Sequence, residues 1–191
     1  MEDKLYNNVY NLDKISERMK FEIDVSGYDI FNDTYVICIA QDNGDIIKGF
    51  KFTKELVTAI VSNWKANKYR YFYNSYETKR GIFKVRVYSI ILYYLFKSIE
   101  KPDFLSLTIC RDFKGRDNEI SQSIKYFLEE ILGIKVGKPL FQKLSTTSPA
   151  HIYANMMRRD GKNLLRTYVD IKLEDIEKYL LKKNKVTPRG R

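Results

Sequence analysis

The chain has 191 residues, and its 34 Lys and Arg residues outnumber 24 Asp and Glu residues to give a formal net charge of +10. With 44% apolar residues, 9 Gly and 4 Pro, the composition is that of a folded protein and excludes collagen-like, mucin-like and low-complexity classes. The surplus of positive charge favours nucleic acid as a partner, although many basic proteins bind no polyanion.

The cysteines and the N-terminal segment indicate the compartment. Cys38 and Cys110 lie in apolar runs that are typical of strands, where a free thiol behaves as a small hydrophobe. Two cysteines exclude a disulfide framework and a zinc cluster built on cysteine. Residues 1–20 lack the apolar core of a signal peptide, and the apolar run 85–99 is too short to span a bilayer. We therefore expect a cytoplasmic protein that does not enter a membrane.

The first half of the folded chain is predicted to be a meander followed by helices. Strict alternation from Phe21 predicts a first strand, with Glu22, Asp24 and Ser26 on its polar side. Two more strands are predicted at 34–40 and 46–52, joined by a hairpin turn at Asp42-Asn43-Gly44. Thr53 is placed to cap a helix over 54–68, and a largely buried helix is predicted over 83–99. The tyrosine-rich segment 69–76 is compatible with either a strand or a loop.

The second half alternates strands and helices. Residues 104–110 (FLSLTIC) are apolar on both faces, which predicts a central strand parallel to the first one, with the meander on that strand's far side. Helices are predicted at 119–132, at 149–159 after the capping residue Ser148, and at 173–181. Shorter strands are candidates within 134–144, where Pro139 favours an edge, and at 168–171.

We therefore expect an α/β fold, a mixed sheet flanked by helices. The predicted organisation is an N-terminal extension at 1–20, one domain at 21–181 and a basic disordered tail at 182–191.

Two aspartates are the strongest candidates for chemistry. Asp24 lies within a strand, where a buried carboxylate requires neutralisation, and Asp112 follows the strand 104–110. If these strands are neighbours, the two carboxylates meet at one sheet edge and can share a divalent ion. Without His or Cys clusters, oxygen ligands favour Mg²⁺ or Mn²⁺. Separately, Asp24 can be an edge acid paired with Lys or Arg, and Asp112 an ordinary turn residue.

The segments 21–40 (FEIDVSGYDIFNDTYVICIA) and 148–157 (SPAHIYANMM) are similar to RNase H-like domains, in particular to uncharacterised archaeal proteins with an Asp-x-Ser-Gly first strand. The resemblance covers about residues 21–160. It implies a nuclease in which Asp24 and Asp112 hold two divalent ions across the scissile phosphate. The acid that normally joins them from a helix has no counterpart in the helix from Phe83, and Glu77 precedes that helix.

Three further residues are candidates for the site. Asp117 and Glu119 open the helix after Asp112 and are possible metal ligands, although acids are also favoured at any helix N-terminus. His151 is the only histidine and shares a helix face with Asn155 and Arg158. Beside a metal it can shuttle protons or hold a phosphate. The plainer alternative is a surface or capping histidine.

Basic residues suggest where a nucleic acid would lie. The candidate contacts are Lys79, Arg80, Lys114, Arg116, Arg158 and Arg159. Tyrosines between 69 and 76 can stack bases of a single strand or simply fill a core.

The leading interpretation is a divalent-metal-dependent nuclease acting on RNA, DNA or a hybrid. The alternatives are a non-catalytic nucleic-acid-binding module on the same fold, or a protein-interaction domain. The sequence leaves the oligomeric state open.

Overall fold

A computed structural model describes residues 18–73 and 77–182, with only the backbone described at 77–79. Most of the predicted extension and nearly all of the predicted tail therefore lie outside the described residues. The strands within them are β1 (Arg18–Ser26), β2 (Val36–Gln41), β3 (Ile47–Lys51), β4 (Phe104–Ile109), β5 (Lys135–Val136) and β6 (Leu140–Phe141). The helices are α1 (Lys54–Lys65), α2 (Glu77–Lys97), α3 (Asp117–Lys125), which continues as a π-helical segment (Tyr126–Ile131), α4 (Pro149–Arg159) and α5 (Leu173–Glu177).

The six strands form one mixed, open sheet. Its order is β3-β2-β1-β4-β5, and β6 also pairs with β4. Ile23 of β1 lies opposite Ile39 of the antiparallel β2 and opposite Ile109 of the parallel β4. The predicted meander and the predicted adjacency of parallel β1 and β4 are thus confirmed. The carboxyl ends of β1 and β4 consequently meet at the same edge of the sheet.

One face of the sheet carries the main core beneath α1 and α2. Phe21 of β1 contacts Phe96 of α2 edge to face at 5.3 Å, and Trp64 of α1 stacks on Phe83 of α2 at 4.1 Å. The helix α2 begins at Glu77, earlier than the predicted start at Phe83. The prediction started too late because residues 77–81 (ETKRG) contain no apolar side chain that would mark the first turn. Thr53 caps α1 as predicted, accepting a hydrogen bond from the Leu56 amide at 3.3 Å.

The opposite face is covered by α4, whose predicted bounds and capping residue are confirmed. Its small side chains Ala150 and Ala154 allow close approach to β1 and β2, and both are fully buried. A Cβ added at Gly49 of β3 would lie 2.3 Å from the Met157 sulfur. Glycine at this position therefore lets α4 reach the edge of the meander.

Tertiary packing altered four of the predicted elements. The segment 134–144 forms two short strands separated by 137–139, because Pro139 has no amide to donate. The π-helical turn rotates the end of the 119–132 helix, which leaves Ile131 36% exposed instead of on the buried stripe. The predicted strand 168–171 is wrong, since its only ladder contact is a single bridge from Tyr168 to Gly49. The predicted helix 173–181 ends at Glu177.

The tyrosine-rich segment contributes to the core where it is described. Tyr69 is fully buried, and its hydroxyl donates to Oε1 of Glu177 at 2.7 Å. The ring of Tyr73 contacts Trp64 at 5.0 Å, and Phe72 is 74% exposed. Residues 74–76 lie outside the described part of the chain. Among the residues that are described, no helix has the length and apolarity that a bilayer crossing requires.

Candidate metal centre

Asp24 is a buried acid at the middle of the sheet. The alternation of β1 turns its side chain away from the main core and toward α4, where it is only 2% exposed. A carboxylate removed from water in this way needs charge or hydrogen-bond compensation. Its one ion-pair partner among the described residues is His151, which is charged only when protonated. The interpretation of Asp24 as an edge acid paired with Lys or Arg is therefore not what this part of the structure shows.

The polar row on β1 is matched, residue for residue, by a polar row on α4. Ser148 donates to Oε2 of Glu22 at 2.5 Å, and the Ser26 hydroxyl donates to Oδ1 of Asn155 at 3.1 Å. Between these two pairs, Nδ1 of His151 lies 2.8 Å from Oδ2 of Asp24. Side chains two residues apart on β1 thus meet side chains three or four residues apart on α4, as expected for a helix that packs along a strand. This pairing explains why β1 has a polar side although α4 covers it.

The hydrogen bonds around Asn155 define the tautomer of His151. The Asn155 amide nitrogen donates to the His151 carbonyl oxygen at 3.0 Å and lies 3.2 Å from Nε2 of the same residue. Because an amide nitrogen has no lone pair to offer, Nε2 must accept, and the ring proton of neutral His151 is on Nδ1. His151 therefore donates to Asp24 and fixes the orientation of its carboxylate.

Asp112 and Cys110 join Asp24 at the carboxyl end of β4. The Cys110 amide donates to the carbonyl of Ile23 at 2.9 Å, which extends the β1–β4 ladder to the residue beside Asp24. One ligand atom from each of Asp24, Cys110 and Asp112 lies within 4.8 Å of the other two. These three residues, called the DCD group below, could bind a metal ion.

The two carboxylates of the DCD group form no ion pair with a Lys or Arg of the described part of the chain. Burial, followed by the charge of Asp24, raises the pKa of Asp112 from an ordinary value of 3.8 to about 7. Asp112 as a whole is exposed, and one of its carboxylate oxygens lies within 4.8 Å of the ligand atoms of Asp24 and Cys110. Burial and the hydrogen bond with Asp24 raise the pKa of the Cys110 thiol to about 12. A divalent cation would relieve this repulsion by replacing the bound protons.

Two buried tyrosines of the main core lie near enough to the site to be affected by its charge. Tyr35, which precedes β2, and Tyr88 of α2 are 4% and 2% exposed. Burial raises the pKa of both phenols well above the usual value, and the charges of Asp112 and Asp24 raise it further. Both phenols therefore add no negative charge beside the two carboxylates at neutral pH.

A small cavity opens beside Asp112. Its volume is about 130 Å³, and its lining includes Asp29, Tyr35 and Lys84. Lys84 of α2 forms an ion pair with Asp29, and Tyr28 in the same lining is 96% exposed. A larger cavity of about 610 Å³ lies between β3 and α5 but contains none of the DCD residues. We therefore regard the smaller cavity as the one connected with the site.

Two of the predicted metal ligands are not in the DCD group. Asp117 lies 3.5 Å from Nε of Arg111, and Glu119 accepts from Arg116 at 2.7 Å. Hydrogen bonding to Arg116 lowers the pKa of Glu119, which is consistent with a carboxylate that already has a cationic partner. Both acids occupy the first turn of α3, where the helix dipole and these arginines account for them.

The predicted basic residues differ in how exposed they are. Lys114 is exposed in the loop after Asp112, and Arg158 and Arg159 are exposed at the end of α4. The guanidinium of Arg116 packs on α2, where a Cβ at Gly81 would lie 3.0 Å from its Nε. Arg80 is exposed on α2, whereas the side chain of Lys79 lies outside the described residues.

Sequence reasoning missed two residues of the site. Cys110 was expected to be an apolar strand residue, but β4 ends at Ile109 and the thiol faces the carboxylates. Asp29 belongs to a turn whose approach depends on tertiary packing, and its only sequence signal was polarity, which most surface residues share. Lys84 belongs to a run of basic residues along the chain, but its place in the cavity beside Asp112 depends on the packing of α2.

Comparison with known proteins adds no relative: no family model, no curated protein and no solved structure matches this chain. The site is therefore defined by its own geometry. It is an acid–thiol group at the carboxyl edge of two adjacent parallel strands in a mixed α/β sheet. In open sheets of this kind, ligands bind at the carboxyl ends of the strands.

Proposed function

We propose that this protein is an RNase H-like, divalent-metal-dependent nuclease. The observation that carries the proposal is the position of Asp24 and Asp112, from adjacent parallel strands, with ligand oxygens within 4.8 Å. The strand order, a meander followed by parallel strands, agrees with what the resemblance in residues 21–40 implied.

In this proposal Asp24 and Asp112 hold the metal, Mg²⁺ or Mn²⁺, at the sheet edge. When bound, such an ion polarises a phosphoryl oxygen and lowers the pKa of a coordinated water, which supplies the nucleophile for phosphodiester hydrolysis. His151 acts on Asp24 through the 2.8 Å hydrogen bond and keeps the carboxylate in one orientation. The side chain of His151 is 38% exposed, and the proton transfer predicted from the sequence would require Nε2 to exchange its contact with Asn155 for one with the substrate.

The proposed substrate is a nucleic acid, RNA, DNA or a hybrid. The net charge of +10 supports a polyanionic partner, and Lys114 lies two residues from Asp112. Lys84 in the adjoining cavity offers a second cation, and the exposed ring of Tyr28 is suited to stacking on a base. These contacts would attract the backbone and position it without reading sequence.

A second candidate, a non-catalytic nucleic-acid-binding module, is favoured by one observation. Where the resemblance implies a helix acid, α2 contributes Lys84 to the cavity beside Asp112. Glu77 opens α2, but its side chain lies outside the described residues. A cation at this position would strengthen phosphate binding while leaving fewer ligands for a second metal ion. Cleavage therefore separates the two candidates.

The test is cleavage of single-stranded RNA, single-stranded DNA and a hybrid duplex in the presence of Mn²⁺. The enzyme proposal predicts cleavage that is lost in both Asp24→Asn and Asp112→Asn. Asp103→Asn is the matched control, because this exposed acid precedes β4 at the opposite end of the same strand. Salt-sensitive binding without cleavage in the wild type would favour the binding module. If neither binding nor cleavage is detected with any substrate, the protein-interaction alternative becomes the best interpretation.

A further inference from the structure

Cys110 differs from the other cysteine in what its sulfur faces. Cys38 is fully buried, packs in an apolar cluster with Val36 and Ala154, and contacts the carbonyl of Ile39 at 3.7 Å. Cys110 is half-buried, and its sulfur lies within 4.8 Å of carboxylate oxygens of both Asp24 and Asp112. Only the second sulfur is positioned as part of a mixed ligand set.

We propose that Cys110 is a third metal ligand and that the DCD group binds thiophilic divalent ions such as Zn²⁺ in preference to Mg²⁺. This inference rests on the proposed function for the location of the metal, and it names which ion that site selects. It does not depend on whether the bound metal supports cleavage.

The dimensions of the group are close to those of a site for one ion. Zinc–sulfur and zinc–oxygen bonds are about 2.3 Å and 2.1 Å long, so two ligand atoms on one tetrahedral ion lie about 3.6 Å apart. The ligand atoms of the DCD group lie within 4.8 Å of one another, so binding would bring them together by up to about 1.2 Å. Asp112 and Cys110 are less buried than Asp24, and their side chains are the ones that would move.

The need for a cation is independent of the thiol. Asp24 and Asp112 form no ion pair with Lys or Arg among the described residues, although Lys84 lines the cavity beside Asp112 and pairs with Asp29. The structure thus leaves two neighbouring carboxylates for which only His151, when protonated, supplies positive charge. A divalent ion satisfies both acids at once.

The ligand chemistry decides which divalent ion binds best. Carboxylates alone suit Mg²⁺, whereas a thiolate favours softer ions such as Zn²⁺. Binding converts the thiol to a metal-bound thiolate: the sulfur–metal bond forms, the S–H bond breaks and the proton leaves to solvent. No oxidation or reduction is involved. Mg²⁺ gains little from the sulfur and would bind through the two carboxylates only.

The experiment uses the full chain and Cd²⁺ as the probe, because a cadmium–thiolate bond has a charge-transfer absorption in the ultraviolet. Titration of the wild type should produce this absorption, and a large excess of Mg²⁺ should not remove it. Cys110→Ser should abolish the absorption and weaken Cd²⁺ binding at least about tenfold. Cys38→Ala is the matched control and should behave as the wild type does. Circular dichroism verifies that each variant is folded.

The outcomes separate this inference from the proposed function. Absorption that persists in Cys110→Ser, or that disappears only in Cys38→Ala, would overturn the assignment of Cys110. Wild-type protein that binds Mn²⁺, as detected by its paramagnetic resonance signal, but shows no cadmium–thiolate absorption would also overturn it while leaving the proposed metal site intact. Failure of both Cd²⁺ and Mn²⁺ to bind would contradict the inference and the proposed function together.

Discussion

His151 donates its Nδ1 proton to Oδ2 of Asp24 at 2.8 Å, across 127 residues of sequence. The contact joins the first strand to a helix near the C-terminal end of the fold, and Asn155 holds the acceptor Nε2 on the other side of the ring. It fixes the carboxylate on which the proposed metal site depends.

Asp24→Asn should abolish metal-dependent cleavage while leaving the melting temperature equal to or higher than that of the wild type. The asparagine oxygen still accepts from His151, and the repulsion between Asp24 and Asp112 is removed. The measurements are cleavage with Mn²⁺ and thermal unfolding without metal. Unchanged cleavage by this variant would contradict the role of Asp24.

His151→Ala should destabilise the protein by about 1–3 kcal/mol, because it removes the His151 hydrogen bond from a buried carboxylate. In Asp24→Asn the same replacement should cost less, since an unpartnered amide is easier to bury than an unpartnered carboxylate. Urea unfolding of the two single variants and the double variant gives the coupling energy. Additive effects would show that the negative charge of Asp24 adds nothing to its interaction with His151.

The contribution of Asp112 to the free energy of unfolding, measured without metal, should fall as the pH rises from about 4 to about 7. Its pKa is near 7 in the folded protein and ordinary in the unfolded chain, so in this window the folded state binds the additional proton. The contribution is fully present below pH 4 and is lost as the pH passes 7. Asp112→Asn should therefore flatten the pH dependence of unfolding relative to the wild type. If Asp112→Asn unfolds with the same pH dependence as the wild type, the raised pKa of Asp112 is contradicted.

Nucleic-acid binding should weaken steeply with salt, with a slope of about −0.7 to −0.9 for each phosphate contacted. Replacing Arg158 and Arg159 by Ala should reduce that slope without creating a sequence preference, because phosphate contacts carry no sequence information. Lys65 and Lys68 are exposed at the end of α1, on the other side of the sheet, and their replacement by Ala is the control. An equal reduction in the control would indicate a general effect of net charge.

Local patterns in the sequence predicted most of the sheet. The alternation in β1 and the two-sided apolarity of β4 were sufficient to place these strands side by side and parallel. The alternation also separated Asp24 from the core face, and the Ser148-Pro149 signal placed the start of α4. These features depend on residues that are close in sequence, where propensity and capping act directly.

Other features depend on contacts between distant segments and were not predicted. The pairing of His151 with Asp24 requires α4 to run along β1, and the orientation of Cys110 requires β4 to end one residue earlier than expected. Asp117 resembled a metal ligand because it follows Asp112 closely, but Arg111 is the partner that it contacts. Proximity along the chain is a weak guide to proximity in space once a turn intervenes.

The central claim is that Asp24 and Asp112 hold a divalent ion at the carboxyl edge of β1 and β4. The most direct measurement is anomalous diffraction at the manganese absorption edge from crystals of the protein soaked in Mn²⁺. We expect an anomalous peak between the two carboxylates, at about 2.0–2.3 Å from an oxygen of each. If the same soak gives no peak there and Asp24 is bonded only to His151, the claim is contradicted.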